Sequence, residues 1–310
     1  MAGNSKKVIL AALVGNSLIA VTKFGASIMT GSSAMFSEGI HSLVDTGNQM
    51  LLLYGLKKSA RKPDENFPFG YGKEIYFWSF LVAILIFAVG SGISIYEGIH
   101  ALHDPQAITN PIVNYIVLGL AMIFEAGALY FAVVEFNKTR GARSVLQAIR
   151  TGKDPTFFVV LFEDSAAMLG LVIAFIGVWL AQATGNPIWD GIASISIGII
   201  LGLTALWLAI ETKGLLIGEG AGPVLRKGIR DIVTQHEGVE KLNEILTLYM
   251  GPEFLLLNLS IEFRDDLDVV KLEALINKIT REVKEKYPFI KRVFIEAETL
   301  TVSINPAKKT

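Results

Sequence analysis

Apolar stretches of twenty or more residues recur between residues 8 and 217 and constrain this chain more than any other feature. A helix of roughly 20 apolar residues is long enough to cross the ~30 Å hydrocarbon core of a bilayer. We therefore predict six transmembrane helices, at 8–30, 34–57, 73–100, 111–135, 156–182 and 187–213. The rest of the chain has the composition of a soluble domain. The sequence thus predicts an α-helical membrane domain over 1–217 and a second domain over 218–310.

Lysine and arginine concentrate in two of the connections between these spans, and the connections at 31–33, 101–110 and 183–186 contain neither. Basic loops are retained in the cytoplasm. Both termini are therefore expected in the cytoplasm, and the expected location is the bacterial inner (cell) membrane. The basic residues are Lys57, Lys58, Arg61, Lys62 and Lys73 in the first connection and Lys138, Arg140, Arg143, Arg150 and Lys153 in the second.

The first apolar run could instead be a cleaved signal peptide. It is longer than a typical signal-peptide core and contains Asn16 and Lys23, which favours a retained span.

Cysteine is absent, which excludes disulfides and thiolate metal sites. A metal ion could therefore be held only by histidine, carboxylate, amide, hydroxyl or water. The net charge of −1 gives no indication of a nucleic-acid partner, and none is expected.

His41 and Asp45 lie inside the second apolar run, four residues apart and so on one helix face. Ionisable residues at membrane depth are costly and usually mark a transport pathway. A second acidic pair, Glu163 and Asp164, lies in the fifth run. At a rise of about 1.5 Å per residue, Asp45 lies roughly 17 Å from the outer end of its span and Asp164 roughly 14 Å from the inner end. Both positions are near the midplane, which predicts a shared cation site; a structural hydrogen-bonded pair is the alternative for His41 and Asp45.

Further ligands are open at this stage. Glu163 points about 100° away from Asp164 on the helix, so it is either the extra ligand or a helix-contact or proton-relay group. Asn48 shares the face of His41 and Asp45, and its amide could complete the coordination shell or pack between helices. Asn16 has the same two roles open to it, and water could fill a remaining position.

Other charges in the spans are expected to be structural. Lys23 can extend towards the outer interface, a behaviour known as snorkelling. Glu38, one turn before His41, is expected near the outer mouth, where it could either attract cations or have an interfacial role. The glycines Gly90 and Gly92 are expected to allow close helix packing. Contacts between helices or at interfaces are expected of Glu97, Glu125, Asp190 and Glu211.

The second domain has a pattern of alternating element types. A helical period covers 223–236, and strand-like runs at 239–249 and 254–263 are separated by a turn. Asp268 is a suitable N-cap for a helix over 269–286, and a last strand covers 292–298. The order αββαβ is typical of a small two-layer α+β domain, which we describe as ferredoxin-like.

The chain resembles the cation diffusion facilitators, membrane antiporters that move divalent metal ions against protons. It is most similar to the branch that contains the mitochondrial-type zinc transporter. The segments that carry the resemblance are GSSAMFSEGIHSLVD (31–45), FPFGYGKE (67–74), EDSAAMLG (163–170) and DGIAS (190–194). The resemblance implies a homodimer whose second domain is cytoplasmic.

The chain also departs from the family pattern. Members commonly place a histidine or aspartate four residues before the aspartate of span five, where this chain has Val160. The resemblance therefore implies a metal site of His41, Asp45 and Asp164, completed by another group, with Asn48 and Glu163 as candidates. Further metal sites are not expected, because Phe67, Tyr71, Leu272, Glu296 and Glu298 stand where members carry histidines or other ligands.

The expected function is proton-coupled export of a divalent transition-metal cation by alternating access. Zinc is the first expectation, and manganese, iron or cobalt is the alternative because the ligand set is rich in oxygen. His41 would be the proton-coupling residue. The protein is expected to be neither an enzyme nor dependent on a cofactor. A non-transporting, metal-responsive membrane scaffold is the alternative from another class.

Overall fold

Each of the six predicted spans forms a long helix in the computed structural model, which describes residues 2–140 and 155–298. Left-handed glycines follow two of the helices, with φ of 73° at Gly31 and 66° at Gly185, as is common where a helix ends. The helices are α1 (Ala2–Thr30), α2 (Ser33–Ser59), α3 (Glu74–His103), α4 (Pro111–Arg140), α5 (Pro155–Thr184) and α6 (Ile188–Ile217).

Four segments within the described residues are long and apolar enough to cross a membrane: Glu74–His103, Pro111–Val134, Phe158–Thr184 and Ile188–Ile217. They belong to α3, α4, α5 and α6. Helix α2 is more polar because it carries the ionisable residues discussed above. A six-span membrane domain is therefore taken up below as a proposal.

Helix α3 contains a π-helical segment, Ile86–Ser91, between its two α-helical parts. Such segments insert an extra residue into a helix and occur frequently at functional sites. Gly90 lies in this segment, but a Cβ there would make only ordinary contact, 3.5 Å from Leu201. Gly90 and Gly92, the glycines expected to allow close packing, therefore do not lie at a tight contact between helices.

A close helix approach joins α3 to α6. A Cβ on Gly98 would lie 2.7 Å from the Ile195 nitrogen and 2.8 Å from the Gly191 oxygen. A Cβ on Gly198 would lie 2.9 Å from the Ile95 nitrogen. Because these neighbours are backbone atoms, the two helices pack with their main chains in contact.

The C-terminal part of the chain has the predicted order αββαβ. The elements are α7 (Pro223–Thr234), β1 (Val239–Gly251), β2 (Phe254–Phe263), α8 (Val269–Lys286) and β3 (Ile290–Ala297). They form a mixed three-stranded sheet of order β1-β2-β3, with β1 antiparallel and β3 parallel to β2. The ferredoxin-like description stays a prediction.

The core of this sheet domain follows from the sequence period. Leu255, Leu257, Leu259 and Ile261 alternate along β2 and are all buried. Asp268 caps α8 by accepting a hydrogen bond from the Lys271 nitrogen at 2.8 Å, as predicted.

By its internal contacts the chain divides into two units, which we describe separately. Of the described residues, the first contains 2–58, 74–140 and 155–213, and the second contains 59–73 and 214–298. The α2–α3 loop, residues 59–73, therefore groups with the sheet domain. Its Gly72 lies against the C-terminal end of β1, where a Cβ on Gly251 would be 3.0 Å from the Gly72 Cα. The predicted domain boundary at 217/218 stays a prediction.

Candidate metal centre

Helix α2 presents a column of polar side chains on its buried face. His41 is 1% exposed, Asp45 7% and Asn48 0%. The Nδ1 atom of His41 lies 3.5 Å from Oδ1 of Asp45, across one helical turn. The i, i+4 spacing in the sequence therefore gives the predicted juxtaposition of imidazole and carboxylate.

Helix α5 contributes Glu163 to this column. The Asn48 amide donates a hydrogen bond of 2.6 Å to Oε1 of Glu163. The Asp45 carboxyl also interacts electrostatically with that of Glu163. The contact between α2 and α5 is thus a polar cluster of an amide and two acids.

Asp164, the first choice of ligand on α5 from the sequence, is only half-buried. It interacts electrostatically with Glu163 and Glu125. Glu163, by contrast, is buried and makes the contacts to α2. The rotation of α5 therefore gives Glu163 a larger part in the cluster than the sequence suggested.

Several nitrogen and oxygen atoms on α2 that could bind a metal ion are buried without a hydrogen-bond partner. They are both ring nitrogens of His41, Oδ1 of Asp45 and Oδ1 of Asn48. Buried polar atoms are nearly always hydrogen-bonded, so a group of orphaned atoms calls for a ligand. An imidazole nitrogen with carboxylate and amide oxygens is a suitable donor set for a divalent transition metal.

These possible metal-binding atoms do not converge on a single point. Within residues 2–140 and 155–298, no three histidine, aspartate or glutamate side chains converge closely enough to hold a metal ion. The predicted set of His41, Asp45, Asp164, Asn48 and Glu163 therefore stays a prediction. Binding one ion with three of its ionisable members requires side-chain or helix movement.

Glu125 of α4 is an acidic residue whose proximity to this cluster was not predicted. It is 7% exposed and interacts electrostatically with Asp45, Glu163 and Asp164. The signal in the sequence that points to such a role is the position of this acid in the middle of an apolar run. The contact across helices could not be deduced from spacing.

Lys23 does not extend towards the interface, so that expectation was wrong. Its side chain is fully buried, and its Nζ lies 2.9 Å from Oε2 of Glu38 and 2.8 Å from Oγ of Ser42. Glu38 is likewise 0% exposed. Because a carboxylate and a hydroxyl on α2 satisfy the ammonium internally, the lysine need not reach water.

The N-terminus of α2 is fixed by Asp190 of α6. The Asp190 carboxylate accepts hydrogen bonds from the hydroxyl of Ser32 and from the backbone nitrogens of Ser33 and Ala34. A carboxylate at a helix N-terminus satisfies free N–H groups and complements the helix dipole. Asp190 therefore makes the expected helix contact and sets the position of the polar column.

Two family matches cover most of the chain. Residues 9–217 match the cation efflux transmembrane domain, and residues 222–300 match the cytoplasmic domain of cation efflux proteins. Both lie in the order that the sequence analysis predicts.

Among curated relatives, the chain is similar to the mitochondrial proton-coupled zinc antiporter SLC30A9 of Xenopus laevis, with 33% identity over 286 residues. That alignment covers 90% of this chain and 51% of the relative. The manganese efflux system protein MneP of Bacillus subtilis is 24% identical, with 97% of this chain and 96% of MneP covered. The cation-efflux pump FieF of Escherichia coli O1:K1 is 25% identical, with 90% and 88% covered.

The chain spans about half the length of the zinc antiporters that it matches. The match to the transmembrane domain nevertheless covers more than half of this chain. The predicted resemblance is confirmed, including its direction towards the mitochondrial-type zinc branch. This chain is a membrane protein that belongs to the cation efflux, or cation diffusion facilitator, family.

Proposed function

We propose that this protein exports a divalent transition-metal cation in exchange for protons, with zinc as the principal cargo. The observation that carries the proposal is the group of buried, unpartnered donor atoms on His41, Asp45 and Asn48. Each is a nitrogen or oxygen that a dication could bind. The family match supports cation transport rather than catalysis as the activity.

The proposed ligands are His41, Asp45 and Asp164, with Asn48 and Glu163 completing the shell. One imidazole with carboxylate oxygens suits Zn²⁺. The oxygen-rich remainder also suits Mn²⁺, Fe²⁺ or Co²⁺, and MneP is by its name a manganese efflux protein. Zinc is placed first because SLC30A9 relatives are named as zinc antiporters.

Proton coupling follows from the chemistry of the same donors. A metal ion binds neutral imidazole and ionised carboxylates, so binding expels protons from these groups. Asp45 and Glu163 are the acids from which a bound dication would displace protons. On release of the metal on the other side, protonation of His41 and of the acid pair would return the site to its metal-free state.

We propose the membrane arrangement from the apolar runs and from the distribution of lysine and arginine. Six spans, α1 to α6, carry the site, and both termini are cytoplasmic, because the basic loops stay inside. A bacterial inner membrane is the proposed location. We also propose a homodimer, supported by the match to the family's cytoplasmic domain.

Transport by purified protein in proteoliposomes tests the proposal. Vesicles containing a pH-sensitive dye are offered Zn²⁺, Mn²⁺, Co²⁺ or Fe²⁺, and metal uptake and proton movement are recorded together. The expected result is metal uptake with opposite proton flux, fastest for Zn²⁺. Failure of every metal to move, with no proton flux, would instead favour the non-transporting scaffold.

The role of the imidazole is tested by His41→Ala, with His103→Ala as the matched control. His103 is exposed and bonds to the Ile99 carbonyl of its own helix. We expect His41→Ala to abolish transport and His103→Ala to retain it. Transport at the wild-type rate by His41→Ala would refute the proposed site.

A further inference from the structure

The first unit holds a cation of its own, the ammonium group of Lys23. Lys23 of α1 and Glu38 of α2 are both fully buried, and their charged atoms are 2.9 Å apart. The Ser42 hydroxyl lies 2.8 Å from the same nitrogen. A carboxylate oxygen and a hydroxyl oxygen therefore converge on one point, and a positive charge occupies that point.

The position of this group connects it to the candidate metal centre. Glu38 and Ser42 are one turn apart on α2, and His41 lies between them in sequence. Lys23 interacts electrostatically with His41, Asp45 and Glu125 as well as with Glu38. The ammonium and a bound dication would thus act on the same carboxylates.

Glu38 has bonding capacity that the lysine does not use. Its Oε1 is buried and has no hydrogen-bond partner. This oxygen lies against Gly170 of α5, where any Cβ would collide with it. Gly170 is seven residues, or about two turns, beyond Glu163 on the same helix. The free oxygen therefore faces the same helix, α5, that contributes Glu163 to the metal centre.

A purely structural ion pair explains these features less well. Buried ion pairs are weak sources of stability, and apolar residues of similar size often replace them without loss. A structural pair would also be expected to satisfy both carboxylate oxygens, because an orphaned buried acceptor is costly. A second ligand for Glu38 accounts for the free oxygen.

We propose that Glu38 and Ser42 form a second cation subsite, which the Lys23 ammonium occupies in the metal-free protein and a divalent cation occupies during transport. The inference rests on the proposed function, because the dication is the transported cargo. Cargo that leaves His41 and Asp45 towards the N-terminal end of α2 meets Glu38 one turn away and displaces the ammonium. When the cargo has left, Lys23 returns and neutralises the carboxylate.

Removal of the tethered cation tests the subsite directly. Full-length protein in detergent is titrated with Mn²⁺ alone, a metal suited to oxygen ligands, and bound metal is counted by equilibrium dialysis. We expect Lys23→Ala to bind one Mn²⁺ more per chain than the wild type. The double variant Lys23→Ala/Glu38→Gln should lose that additional ion. Thr22→Ala, an exposed neighbour on α1, is the matched control and should bind as the wild type does.

Two variants that keep Lys23 extend the test if Lys23→Ala does not fold. Ser42→Ala and Glu38→Gln each remove one proposed ligand. Each should lower the maximal transport rate about tenfold, the effect of losing a hydrogen bond to a charged group. Mn²⁺ binding at equilibrium should stay at the wild-type stoichiometry, because Lys23 fills the subsite at rest.

The proposal is overturned if folded Lys23→Ala binds no additional ion, or if both ligand variants transport at the wild-type rate. Failure of the proposed function gives a different result. In that case the wild-type protein itself neither binds nor transports a divalent cation, and none of the variants does so either.

Discussion

Adjacent acids on one helix cannot both face the same partner, because successive side chains are about 100° apart. On α5 this separates Glu163, which is hydrogen-bonded to Asn48, from the half-buried Asp164. The two carboxylates therefore have different environments despite their adjacency. Their contributions to metal binding can be separated by single substitutions.

We expect Glu163→Gln to weaken Zn²⁺ binding about tenfold, or about 1.4 kcal/mol. The amide keeps the size of the side chain and its contact with Asn48 but removes a negative charge beside the proposed ion. Asp164→Asn should weaken binding by no more than this. Binding is measured by competition with a fluorescent chelator, and Glu97→Gln on α3 is the control for the same chemical change. Normal affinity in Glu163→Gln would exclude Glu163 from the site.

The sequence predicted the arrangement of the polar side chains on α2 better than that on α5. His41 and Asp45 share a helix face whatever the helix packs against, so their spacing was sufficient. The choice between Glu163 and Asp164 depends on the rotation of α5 against α2, which many packing contacts set together. Lys23 was misplaced for a related reason, because its long side chain can reach either an interface or a buried acid.

At the scale of helices, glycine marks where two main chains touch. Gly98 of α3 faces the Ile195 nitrogen and the Gly191 oxygen of α6, and these backbone atoms cannot rotate away. Gly119 of α4 has nothing within 4 Å of its hypothetical Cβ. Two glycines in similar apolar helices therefore have opposite tolerance for a methyl group.

We expect Gly98→Ala to destabilise the protein by about 1–3 kcal/mol, the usual cost of overpacking. Gly119→Ala should be neutral or stabilise by up to about 1 kcal/mol, because alanine favours helix. Thermal unfolding in detergent, followed by tryptophan fluorescence, measures both. Equal unfolding midpoints for the two variants would show that α3 and α6 can separate at no cost.

The cap on α2 gives a second prediction at this scale. Asp190→Ala removes the acceptor for the backbone nitrogens of Ser33 and Ala34, so the first turn of α2 loses its cap. We expect destabilisation of about 2 kcal/mol, at the upper end for helix caps. Hydrogen exchange in the peptide that contains Ser33 and Ala34 should accelerate. Asp104→Ala, at an exposed loop position, serves as the comparison, and unchanged exchange in Asp190→Ala would contradict the cap.

At the scale of the whole molecule, the α2–α3 loop belongs to the second unit and is ordered by its own side chains. The Tyr71 hydroxyl donates a hydrogen bond to Asp64, and the Tyr71 ring lies 4.5 Å from the Phe67 ring and 4.4 Å from the Arg61 guanidinium carbon. Phe67 and Tyr71 are the loop residues at which the sequence analysis expects no second metal site. In this chain, aromatic and hydrogen-bond contacts order the loop at those positions.

The element order of the second unit was predictable, and the place of this loop was not. Alternation along β2 and the Asp268 cap are local signals that can be read from one segment. The approach of Gly72 to Gly251 joins residues far apart in sequence, and nothing in either segment indicates the other. Long-range backbone contacts of this kind can be recognised only in the structure.

The loop should respond to acid through Asp64. The hydrogen bond from Tyr71, followed by that from the Phe67 nitrogen, lowers the pKa of Asp64 below its usual value. A carboxyl whose folded pKa is depressed stabilises its structure above the unfolded value of about 3.9, and the effect is lost as pH falls through the folded pKa. Protection of the loop should therefore be full at pH 6 and decline below about pH 4.

Hydrogen exchange of the peptide that contains Phe67 and Gly70, corrected for the intrinsic effect of pH, measures this decline. Asp64→Asn should remove the pH dependence and lower protection at pH 6, because an amide is a weaker acceptor than a carboxylate for the Tyr71 hydroxyl. Glu65→Gln is the control, since it neutralises an exposed neighbour. If Asp64→Asn and Glu65→Gln give the same profile as the wild type, the order of the loop comes from the Tyr71 and Phe67 rings and the Arg61 stack. In that event Tyr71→Phe, which keeps the ring and removes the hydroxyl, should also leave protection unchanged.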